Sequence, residues 1–457
     1  MPRYAAVDIG SNSVRLLAAE VSAASRIHTL AAERQVTRLG ESVFRGGGIS
    51  SQSIAFVCGQ LSRMAQIYRR LDVVGVRAVA TSAVRDAGNQ HEFIAKASQA
   101  LGAPVEIISG QEEARLIHLG VEALWPHLNQ RILIVDVGGG SAEIICAENG
   151  RLAEAFSKPL GAVRLTEVFL KHDPPAPEEL HRMDRYIEEK IAAPLVRIGG
   201  RKYDRMIATS ATAAAIVSAI NRVPRARRDE ADHLRVSTAQ LRKLYAGLSR
   251  MNLAARRKTP GIGPRRAEII TAGAAVFLRI LETFRLPSFY YSTAGVRDGI
   301  VADLALRGVG RELSRLSADQ RSVVEQMARR FGVSLGHARK VAALAHELFD
   351  GLHRLHHLPP YFGKLLEAAA YLHDIGHYVS DTGHHKHSCY LVENADMPGF
   401  TGAERRLIGM LCRYHRKSMP APRHIPFQAL DAEARRAVLL LIPLLRLAEA
   451  FSKPLGA

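Results

Sequence analysis

Short apolar runs of strand-like composition alternate with helical stretches over the first part of the chain. The strand candidates are rich in apolar and β-branched residues, and they lie at residues 5–7, 14–21, 73–79 and 105–108. Apolar residues with helical spacing follow Ser50, His91 and Ser109. This alternation of strands and helices predicts an α/β domain.

The pattern divides the chain into three blocks. A turn-rich break, WPHLNQ at residues 125–130, separates the first block from a second one that begins at RILIVDVGGG and runs to RDGIVADLAL. Beyond about residue 310 the β character disappears, and windows such as SADQRSVVEQMARRFG carry only helical apolar spacing. We therefore predict two α/β domains, at residues 1–125 and 126–306, and an all-α domain at residues 307–457.

Two stretches of the α/β blocks are nearly alike: AAVDIGSNSVRLL from Ala5, and LIVDVGGGSAEII from Leu133. Each is an apolar run that ends in Asp8 or Asp136, followed by a turn of small residues and a second β-rich run. The Walker and Rossmann glycine motifs both open a helix, and no helical pattern follows either turn. The two stretches are therefore predicted to be strand–turn–strand hairpins.

Small residues in such turns allow backbone N–H groups to point at phosphate oxygens, and the neighbouring Asp carboxylate suits a hard cation such as Mg²⁺. One copy alone is equally compatible with an ordinary β-hairpin. Two copies, each opening an α/β block, predict two turns that face each other across a cleft and hold one polyanion. The predicted phosphate-binding residues of the turns are Gly10, Ser11, Asn12, Ser13, Gly138, Gly139, Gly140 and Ser141.

The composition narrows the class of protein. No apolar run is long enough for a membrane span, no signal-peptide pattern opens the sequence, and four scattered cysteines form no CxxC pair, so we expect a cytoplasmic location. The formal charge of +18 favours a polyanionic partner, although a solvated basic surface explains it equally well. Aromatic residues are few and do not interleave with the basic runs, so we expect no specific nucleic-acid binding.

The segment ISGQEEARLI carries two adjacent carboxylates. Ser109 and Glu112 have the spacing of a helix N-terminal capping box, so Glu112 has a structural role. Glu113 is not needed for that box. The helix dipole favours any carboxylate at this position, so Glu113 is either a second stabilising acid or a functional residue, and spacing alone favours the former.

These segments, with AVATSAVRDAGN and STAGVRDGI, follow the order of the signature segments of the exopolyphosphatase/guanosine pentaphosphate phosphohydrolase family, which the chain resembles over residues 4–305. The resemblance implies twin actin-like (ribonuclease H-like) domains that form a cleft. It implies removal of the terminal phosphate from inorganic polyphosphate, or of the 5′-γ-phosphate from guanosine pentaphosphate, with Mg²⁺. The family's catalytic Glu matches Glu113, whose implied role is to orient and deprotonate the attacking water.

The resemblance also implies the other parts of the site. Arg85, in TSAVRD, is the expected phosphate clamp, because a guanidinium can hold phosphate oxygens with two hydrogen bonds; an interdomain ion pair is the alternative. Arg15 and Arg266 are weaker candidates for contact with the substrate. A monovalent cation is left open beside Mg²⁺. The expected ligands of Mg²⁺ or of its water molecules are Asp8, Asp136 and Glu143.

Histidine is concentrated in the all-α block, where twelve of the 19 lie between His337 and His424. The block resembles the HD metal-dependent phosphohydrolase superfamily, in which a His, a His-Asp pair and a later Asp hold a divalent metal. The place of the later Asp carries Glu449 here. The expected HD-like ligands are His337, His373 and Asp374. Further candidates, for a second metal, are His377, His387 and His415.

Three interpretations of the all-α block stay open: a basic binding and dimerisation domain, which predicts a homodimer, an auxiliary metal-binding domain, and a second hydrolase site. Its last residues are unusual, because RLAEAFSKPLGA occurs at residues 151–162 and again, identically, at 446–457. Chance does not explain so long a match, and a structural repeat would drift in sequence. We therefore expect the end of this domain to be truncated or altered.

Two other functions are compatible with the sequence. A kinase or ATPase of the actin superfamily needs an adenosine pocket in the second block, where ATSATA at residues 208–213 is poorer in glycine than the family's loop. A sensor would bind an alarmone or nucleotide in the α/β domains and act, or recruit partners, through the HD-like block. The joint pattern of motifs favours the phosphohydrolase.

Overall fold

The structure is a computed structural model, and it describes residues 1–22, 26–224, 227, 230–307 and 314–452. The chain forms two compact units, Met1–Leu306 and Arg307–Ala457. The first unit contains two β-sheets with helices on their faces, and the second is helical. In the described part of the chain, no helix combines the length and the apolar character that a membrane span needs.

The strands of the first sheet are β1 (Arg3–Ile9), β2 (Ser13–Val21), β3 (Ile27–Val36), β4 (Gly75–Ala80) and β5 (Val105–Ile107). They lie in the order β3-β2-β1-β4-β5. Strands β1 and β2 form an antiparallel hairpin in which Ile9 is opposite Val14, and β4 and β5 extend the sheet in parallel. The helices of this part are α1 (Leu39–Gly46), α2 (Ser51–Arg69), α3 (Ser82–Asp86), α4 (Gln90–Leu101) and α5 (Gly110–Leu124).

The strands of the second sheet are β6 (Arg131–Val137), β7 (Ala142–Glu148), β8 (Arg151–Lys158), β9 (Arg205–Thr209), β10 (Arg235–Ser237) and β11 (Ser288–Tyr291). Their order is β10-β11-β9-β6-β7-β8, so β6 pairs with a hairpin partner on one side and a parallel strand on the other, as β1 does. Val137 is opposite Ala142, as Ile9 is opposite Val14. The two predicted hairpins therefore form with equal turn lengths.

Seven helices belong to this second part of the unit. They are α6 (Ala162–Phe169), α7 (Pro177–Ile198), α8 (Ser210–Asn221), α9 (Thr238–Arg250), α10 (Leu253–Arg257), α11 (Ile270–Thr283) and α12 (Val296–Arg307). Alternate residues of the central strands face opposite helix layers, as the period of two in a strand requires. In β6, for example, Leu133 and Val135 join the core of α7 and α11, whereas Ile132 and Ile134 pack on the side of α5.

Helix α5, which carries Glu113, lies between the two sheets. Its Leu116 packs with the core of the first sheet, and its Ile117 and Val121 pack with the second. Helix α12 crosses it closely, because a Cβ on Gly299 would meet the carbonyl oxygen of Leu116 at 1.7 Å. The position of Glu113 is therefore fixed by both sheets at once.

Two features of this unit differ from the sequence-based expectation. Strand β3 was not among the strand candidates, because it is a polar edge strand whose side chains are mostly exposed and show no apolar alternation. Helix α12 falls in the predicted second domain, yet its Ile300 and Val301 pack with Tyr4 and Ala6 of the first sheet. The chain thus returns to the first domain at the end of the unit.

A buried charge network fixes α12 against α5 and β4. Asp303 accepts hydrogen bonds from Arg77 and Arg115, each at 2.9 Å, and Glu112 accepts from the same two arginines at 2.7–2.9 Å. All four side chains are less than one-tenth exposed. The side chain of Glu112 thus pairs with buried arginines, in keeping with a structural role, whereas Glu113 lines the cavity.

The second unit is a bundle of helices. They are α13 (Ala318–Arg330), α14 (Leu335–Gly351), α15 (His353–His356), α16 (Tyr361–Leu372), α17 (His384–Asn394), α18 (Gly402–Tyr414), α19 (Ile425–Gln428) and α20 (Ala432–Ser452), with a 3₁₀ turn at Ile375–Tyr378. Capping boxes at Ser317 and Thr401 start α13 and α18. Helix α16 is apolar and buried all round, and it forms the centre of the bundle.

The duplicated sequence folds in two ways. Residues Arg151–Lys158 form strand β8, whereas the identical residues from Arg446 to Ser452 complete helix α20. Residues 453–457, the remainder of the second copy, lie outside the described residues. Packing, rather than local propensity, therefore decides the conformation of this segment.

We expect Asp303→Asn to lower the free energy of unfolding of the first unit by about 3 kcal/mol, because it removes the carboxylate that both buried guanidinium groups share. Arg115 would then keep Glu112 as its partner, and Arg77 would keep Glu112 and Glu106. Urea denaturation followed by circular dichroism measures this change. The exposed i,i+4 pair of Glu92 and Lys96 provides the control, and Glu92→Gln should leave the unfolding transition unmoved. Equal behaviour of the two variants would contradict the structural role of the network.

Candidate functional site

The turns of the two hairpins are built alike. The N–H of Gly10 donates to the carbonyl of Ser13 at 3.1 Å, and the N–H of Gly138 donates to the carbonyl of Ser141 at 3.0 Å. In each hairpin, the Asp that precedes the turn lies near the end of a buried strand in the middle of its sheet. The sequence similarity therefore corresponds to one local geometry used twice.

Glycine is required where the second turn packs. A Cβ on Gly139 would lie 2.9 Å from the Cβ of Ser11 in the first turn. A Cβ on Gly140 would lie 2.5 Å from the Oγ of Ser82 and 2.7 Å from the ring of Phe44. These distances are shorter than van der Waals contact, so a side chain at either position would force the two turns apart.

The carbonyl groups of both turns accept hydrogen bonds from segments that follow them in the chain. The Ser11 carbonyl accepts from the N–H of Gly40 at 2.7 Å, and the Gly139 carbonyl accepts from the N–H of Val163 at 2.9 Å. The N–H groups of Asn12 and Gly139 make no hydrogen bond to other described residues. Two such N–H groups, brought close together from the two turns, suit an anion.

Both turns line one cavity of about 360 Å³. All of the predicted phosphate-binding residues of the turns are part of its wall, namely Gly10, Ser11, Asn12, Ser13, Gly138, Gly139, Gly140 and Ser141. Three of the predicted carboxylates also line it, namely Asp8, Glu113 and Asp136. The structure thus brings the hairpins and the carboxylates together in one cleft, as the sequence predicts.

Glu113 lies in the first turn of α5 with its side chain turned to the cavity. Helix α5 begins at Ser109, whose Oγ accepts from the N–H of Glu112 at 3.1 Å. Glu113 is 8% exposed, and its Oε2 accepts no hydrogen bond from any described residue. Burial and the negative charge of Glu143 raise the pKa of Glu113 well above its ordinary value, although Arg85 opposes the rise.

Glu143 lies behind the cavity wall, opposite Asp136 in the β6–β7 hairpin. Its Oε1 accepts from the Oγ of Ser157 at 2.8 Å, and its Oε2 has no partner among the described residues. Burial and the charge of Asp136 raise the pKa of Glu143 to about 8. A proton or a cation is therefore needed to neutralise this part of the site.

The two hairpin aspartates are buried as well. Burial raises the pKa of Asp8, although the charges of Arg15 and Arg297 oppose the rise. Burial also raises the pKa of Asp136, which accepts a hydrogen bond from Thr209. Buried carboxylates with raised pKa values and unpartnered oxygens form an oxygen-rich set that fits a divalent cation such as Mg²⁺.

Arg85, the predicted phosphate clamp, lies beside Glu113 in this structure. Its Nη1 donates to the carbonyl of Ile108 at 2.6 Å and lies 3.7 Å from the Oε2 of Glu113. It is not part of the described wall of the cavity. Arg85 lies on the short helix α3, which follows the buried strand β4. Its guanidinium points towards the start of α5. It therefore contacts the predicted catalytic carboxylate.

The cavity contains charged residues that the sequence reasoning missed. Arg297 lines it and donates to the carbonyl of Leu16 at 3.1 Å, and burial lowers the pKa of Arg297. Asp298 lines it too and accepts from the N–H of Gly295 at 2.9 Å. Both lie within STAGVRDGI, a segment of the resemblance in which the sequence pattern alone singles out no site residue. Arg34 lies on the unpredicted strand β3.

Arg15 and Arg266, the weaker candidates, both line the cavity. The ATSATA loop reaches it through Ser210, whose φ of 86° is a conformation that glycine adopts without strain. The Ser210 Oγ accepts from the N–H of Thr212 at 3.2 Å. The glycine-poor loop thus keeps a glycine-like conformation at the cavity.

The second unit contains the predicted HD-like residues in one place. His337, His373, Asp374 and Glu449 each offer one ligand atom within 4.8 Å of the others. Their ligand atoms are the two imidazole Nε2 atoms and a carboxylate oxygen of each acid. The predicted grouping is therefore present in the fold, with Glu449 in the place of the later Asp.

The candidates for a second metal are only partly grouped. Asp374, His377 and His384 form a set within the same distance, and His415 lies beside them. His387, which the sequence suggested, is not part of either set among the described residues. His384 was missed, because four histidines fall close together in this segment and only the helix geometry shows which of them point inward.

Comparison with known proteins agrees with this geometry. A model of the Ppx/GppA phosphatase family matches residues 17–308, and a model of domain III of the same family matches residues 320–454. A solved Ppx/GppA family member from Aquifex aeolicus is 27% identical, with a TM-score of 0.60, over 68% of this chain and 99% of its own.

Two further solved structures are similar. An exopolyphosphatase-like protein is 29% identical over 66% of this chain and 97% of its own, with a TM-score of 0.62. An exopolyphosphatase from Cytophaga hutchinsonii shares the fold at 24% identity over 67% of this chain and 99% of its own, with a TM-score of 0.62. The predicted fold, two actin-like α/β domains followed by a helical domain, is confirmed, and the chain belongs to the Ppx/GppA phosphatase family.

Proposed function

We propose that this phosphohydrolase removes the terminal phosphate from inorganic polyphosphate, or the 5′-γ-phosphate from guanosine pentaphosphate, with water that Glu113 activates. The observation that carries the proposal is the buried Glu113 carboxylate, whose unpartnered Oε2 faces the cavity that both hairpins line. The exopolyphosphatase from Cytophaga hutchinsonii shares this fold. Both substrates present a terminal phosphoanhydride to the same groups.

The turns and the arginines would bind different parts of the substrate. The N–H groups of Asn12 and Gly139 are positioned for phosphate oxygens at the meeting point of the hairpins. The arginines supply positive charge to the rest of a polyanion, and they are Arg15, Arg34, Arg266 and Arg297. Phosphoryl transfer depends mostly on positioning and charge stabilisation, which this arrangement supplies from two sides.

Glu113 has the properties of a general base. A water beside its Oε2 would give its proton to the carboxylate, and the water oxygen would form a bond to the terminal phosphorus. The phosphoanhydride P–O bond would break, and its electron pair would stay on the shortened chain. A raised pKa makes the Glu113 carboxylate a stronger proton acceptor, while the positive charge of Arg85, 3.7 Å away, opposes the rise.

The carboxylates of Asp8, Asp136 and Glu143 would hold the Mg²⁺ that the family resemblance implies. Their fit rests on burial and on the unpartnered Glu143 Oε2. When bound, Mg²⁺ neutralises negative charge on the phosphate oxygens and on the site.

We expect Glu113→Gln to lower kcat by about 10²–10⁴-fold, because the amide cannot accept the proton of water. Phosphate release from long-chain polyphosphate and from guanosine pentaphosphate, with Mg²⁺, measures the effect and identifies the preferred substrate. Glu92→Gln, on the exposed face of α4, is the matched control. Activity that survives Glu113→Gln and is lost in His373→Ala/Asp374→Ala would place the reaction in the helical unit instead.

We expect the rate at low Mg²⁺ to rise with pH through a value well above the ordinary pKa of a glutamate, because the pKa of Glu113 is raised and only its carboxylate form accepts a proton. Added Mg²⁺ places positive charge beside the carboxylates and lowers that pKa, so the acid limb should move to lower pH. Profiles of kcat/KM against pH at two Mg²⁺ concentrations test this. An acid limb that Mg²⁺ does not move would contradict the shared electrostatics.

We expect Gly140→Ala to lower kcat/KM by about 100-fold, because its Cβ would lie 2.7 Å from the Oγ of Ser11 in the first turn and push the hairpins apart. Gly46→Ala is the matched control, since a Cβ at Gly46 meets no described atom within 4 Å. Both variants should keep a cooperative thermal unfolding transition. Unchanged activity in Gly140→Ala would show that close approach of the turns is not required.

A further inference from the structure

The side chain of Arg164 joins the turn of the second hairpin to helix α3 of the first α/β domain. Arg164 lies in the first turn of α6, and it is not among the described residues that line the cavity. It therefore does not touch a substrate held there. Its contacts nevertheless reach two of the elements that shape the cleft.

One edge of the Arg164 guanidinium binds the second turn. Its Nε donates to the carbonyl of Gly140 at 2.7 Å. The backbone N–H of Arg164 donates to the neighbouring carbonyl, that of Gly139, at 3.0 Å. Both glycines line the cavity, and a Cβ on either would meet Ser11 of the first turn. Arg164 therefore holds the part of the second turn that packs against the first.

The other edge of the guanidinium binds α3. Its Nη2 donates to the Oγ of Ser82 at 3.1 Å and to the carboxylate of Asp86. Ser82 and Asp86 are the first and last residues of this helix. The guanidinium also lies over the ring of Phe44, 4.0 Å from its centroid, which fixes the direction of its donors. One side chain thus holds both ends of α3.

Helix α3 connects three parts of the site. It has only five residues, so its position depends on contacts with its neighbours more than on its own hydrogen bonds. The N–H of Ala83 donates to the Oγ of Ser11 in the first turn at 3.2 Å. Arg85 donates to the carbonyl of Ile108 at 2.6 Å and lies 3.7 Å from the Oε2 of Glu113. Both hairpin turns and the predicted catalytic carboxylate therefore meet on this one helix.

A second ion pair, between Arg45 of α1 and Glu167 of α6, joins the same two domains without contacting α3. The side chain of Arg45 is 70% exposed, whereas that of Arg164 is 20% exposed and donates to three acceptors. Exposed pairs contribute little, and a half-buried guanidinium with several acceptors contributes more. Arg164 therefore aligns α3 with the second turn, and Arg45 serves as its matched control.

We propose that Arg164 is a positioning residue of the phosphohydrolase reaction, which ties the second turn to α3 and so holds Arg85 against Glu113. This inference rests on the function proposed for the cleft. The turns hold the terminal phosphate, and Glu113 holds the attacking water, so the distance between turn and carboxylate decides whether the two reactants are in line. An error of about 1 Å in such an arrangement lowers the rate by about 100-fold.

The role requires a guanidinium rather than a positive charge alone. A lysine ammonium is a compact charge on a flexible stem, and it cannot donate to the Gly140 carbonyl and to both ends of α3 in fixed directions. We therefore expect Arg164→Lys to be impaired like Arg164→Ala. Wild-type activity in Arg164→Lys would contradict the proposal, because it would show that the charge alone is sufficient.

Steady-state phosphate release by the full chain, with Mg²⁺ and the preferred of the two proposed substrates, separates positioning from binding. We expect Arg164→Ala to lower kcat by about 10–100-fold and to change KM by less than about threefold. KM is preserved because the second turn keeps its hydrogen bonds from the N–H groups of Ala162 and Val163. Arg45→Ala should keep the wild-type kcat and KM. A raised KM with unchanged kcat in Arg164→Ala would overturn the proposal.

A double-mutant cycle with Arg85 tests the route through α3. If Arg164 acts by holding Arg85 in place, its removal has little left to change once Arg85 is absent. We expect Arg85→Ala alone to lower kcat, and Arg164→Ala to lower it by less than about a further threefold in the Arg85→Ala background. Effects of the two substitutions that multiply in full would show that they act independently, against the proposal.

Asp86→Ala keeps the proposal testable even if Arg164→Ala does not fold. The side chain of Asp86 is 39% exposed, and its removal leaves Arg164 bound to Gly140 while the contact with the end of α3 is lost. We expect kcat to fall by about fivefold, because a charge-assisted contact is lost, with the melting temperature of the wild type. An unchanged kcat in Asp86→Ala would show that Arg164 acts on the second turn alone.

The variant Glu113→Gln, assayed beside these, distinguishes failure of this inference from failure of the proposed function. Activity that survives Glu113→Gln would overturn the function proposed for the cleft. Activity that depends on Glu113, with effects of Arg164→Ala and Arg85→Ala that multiply in full, would overturn only the positioning role of Arg164.

Discussion

The structure of the cleft depends on the burial of like charges. Asp8, Glu113 and Glu143 are less than one-tenth exposed and Asp136 is half-buried, and burial raises the pKa of each. Four carboxylates in a low-dielectric site repel one another, so the fold is stable there only if protons or cations reduce their charge. The site is therefore built to attract a cation, and with it the anionic phosphate that the cation binds.

The fold holds these groups together by using the same device on two sheets. Each hairpin ends a central strand in Asp and turns on small residues, and the turns meet where only glycine fits at Gly139 and Gly140. Helix α5 lies between the sheets and is held by the buried Arg77–Asp303 network. Two sheets are needed because a single hairpin could not place a third carboxylate, that of Glu113, opposite its own turn.

The features that could be predicted from the sequence are those encoded in short segments. Around Asp8 and Asp136, an apolar run, the Asp and a turn of small residues follow one another within a few positions, so the hairpins and the cleft could be predicted. Arg34 and Arg297 reach the cavity through packing of distant segments, which no short window contains. RLAEAFS is strand in one copy and helix in the other, so its conformation depends on the surrounding structure and could not be predicted from those residues.

The two groups of candidate ligands differ in chemistry. The cleft offers carboxylate oxygens, which suit Mg²⁺, whereas the group of His337, His373, Asp374 and Glu449 in the helical unit combines imidazole nitrogens with carboxylate oxygens, a set that suits transition metals. Glu449 can take the place of the expected Asp because its side chain on α20 brings one carboxylate oxygen within 3.2 Å of the Nε2 atoms of both His337 and His373.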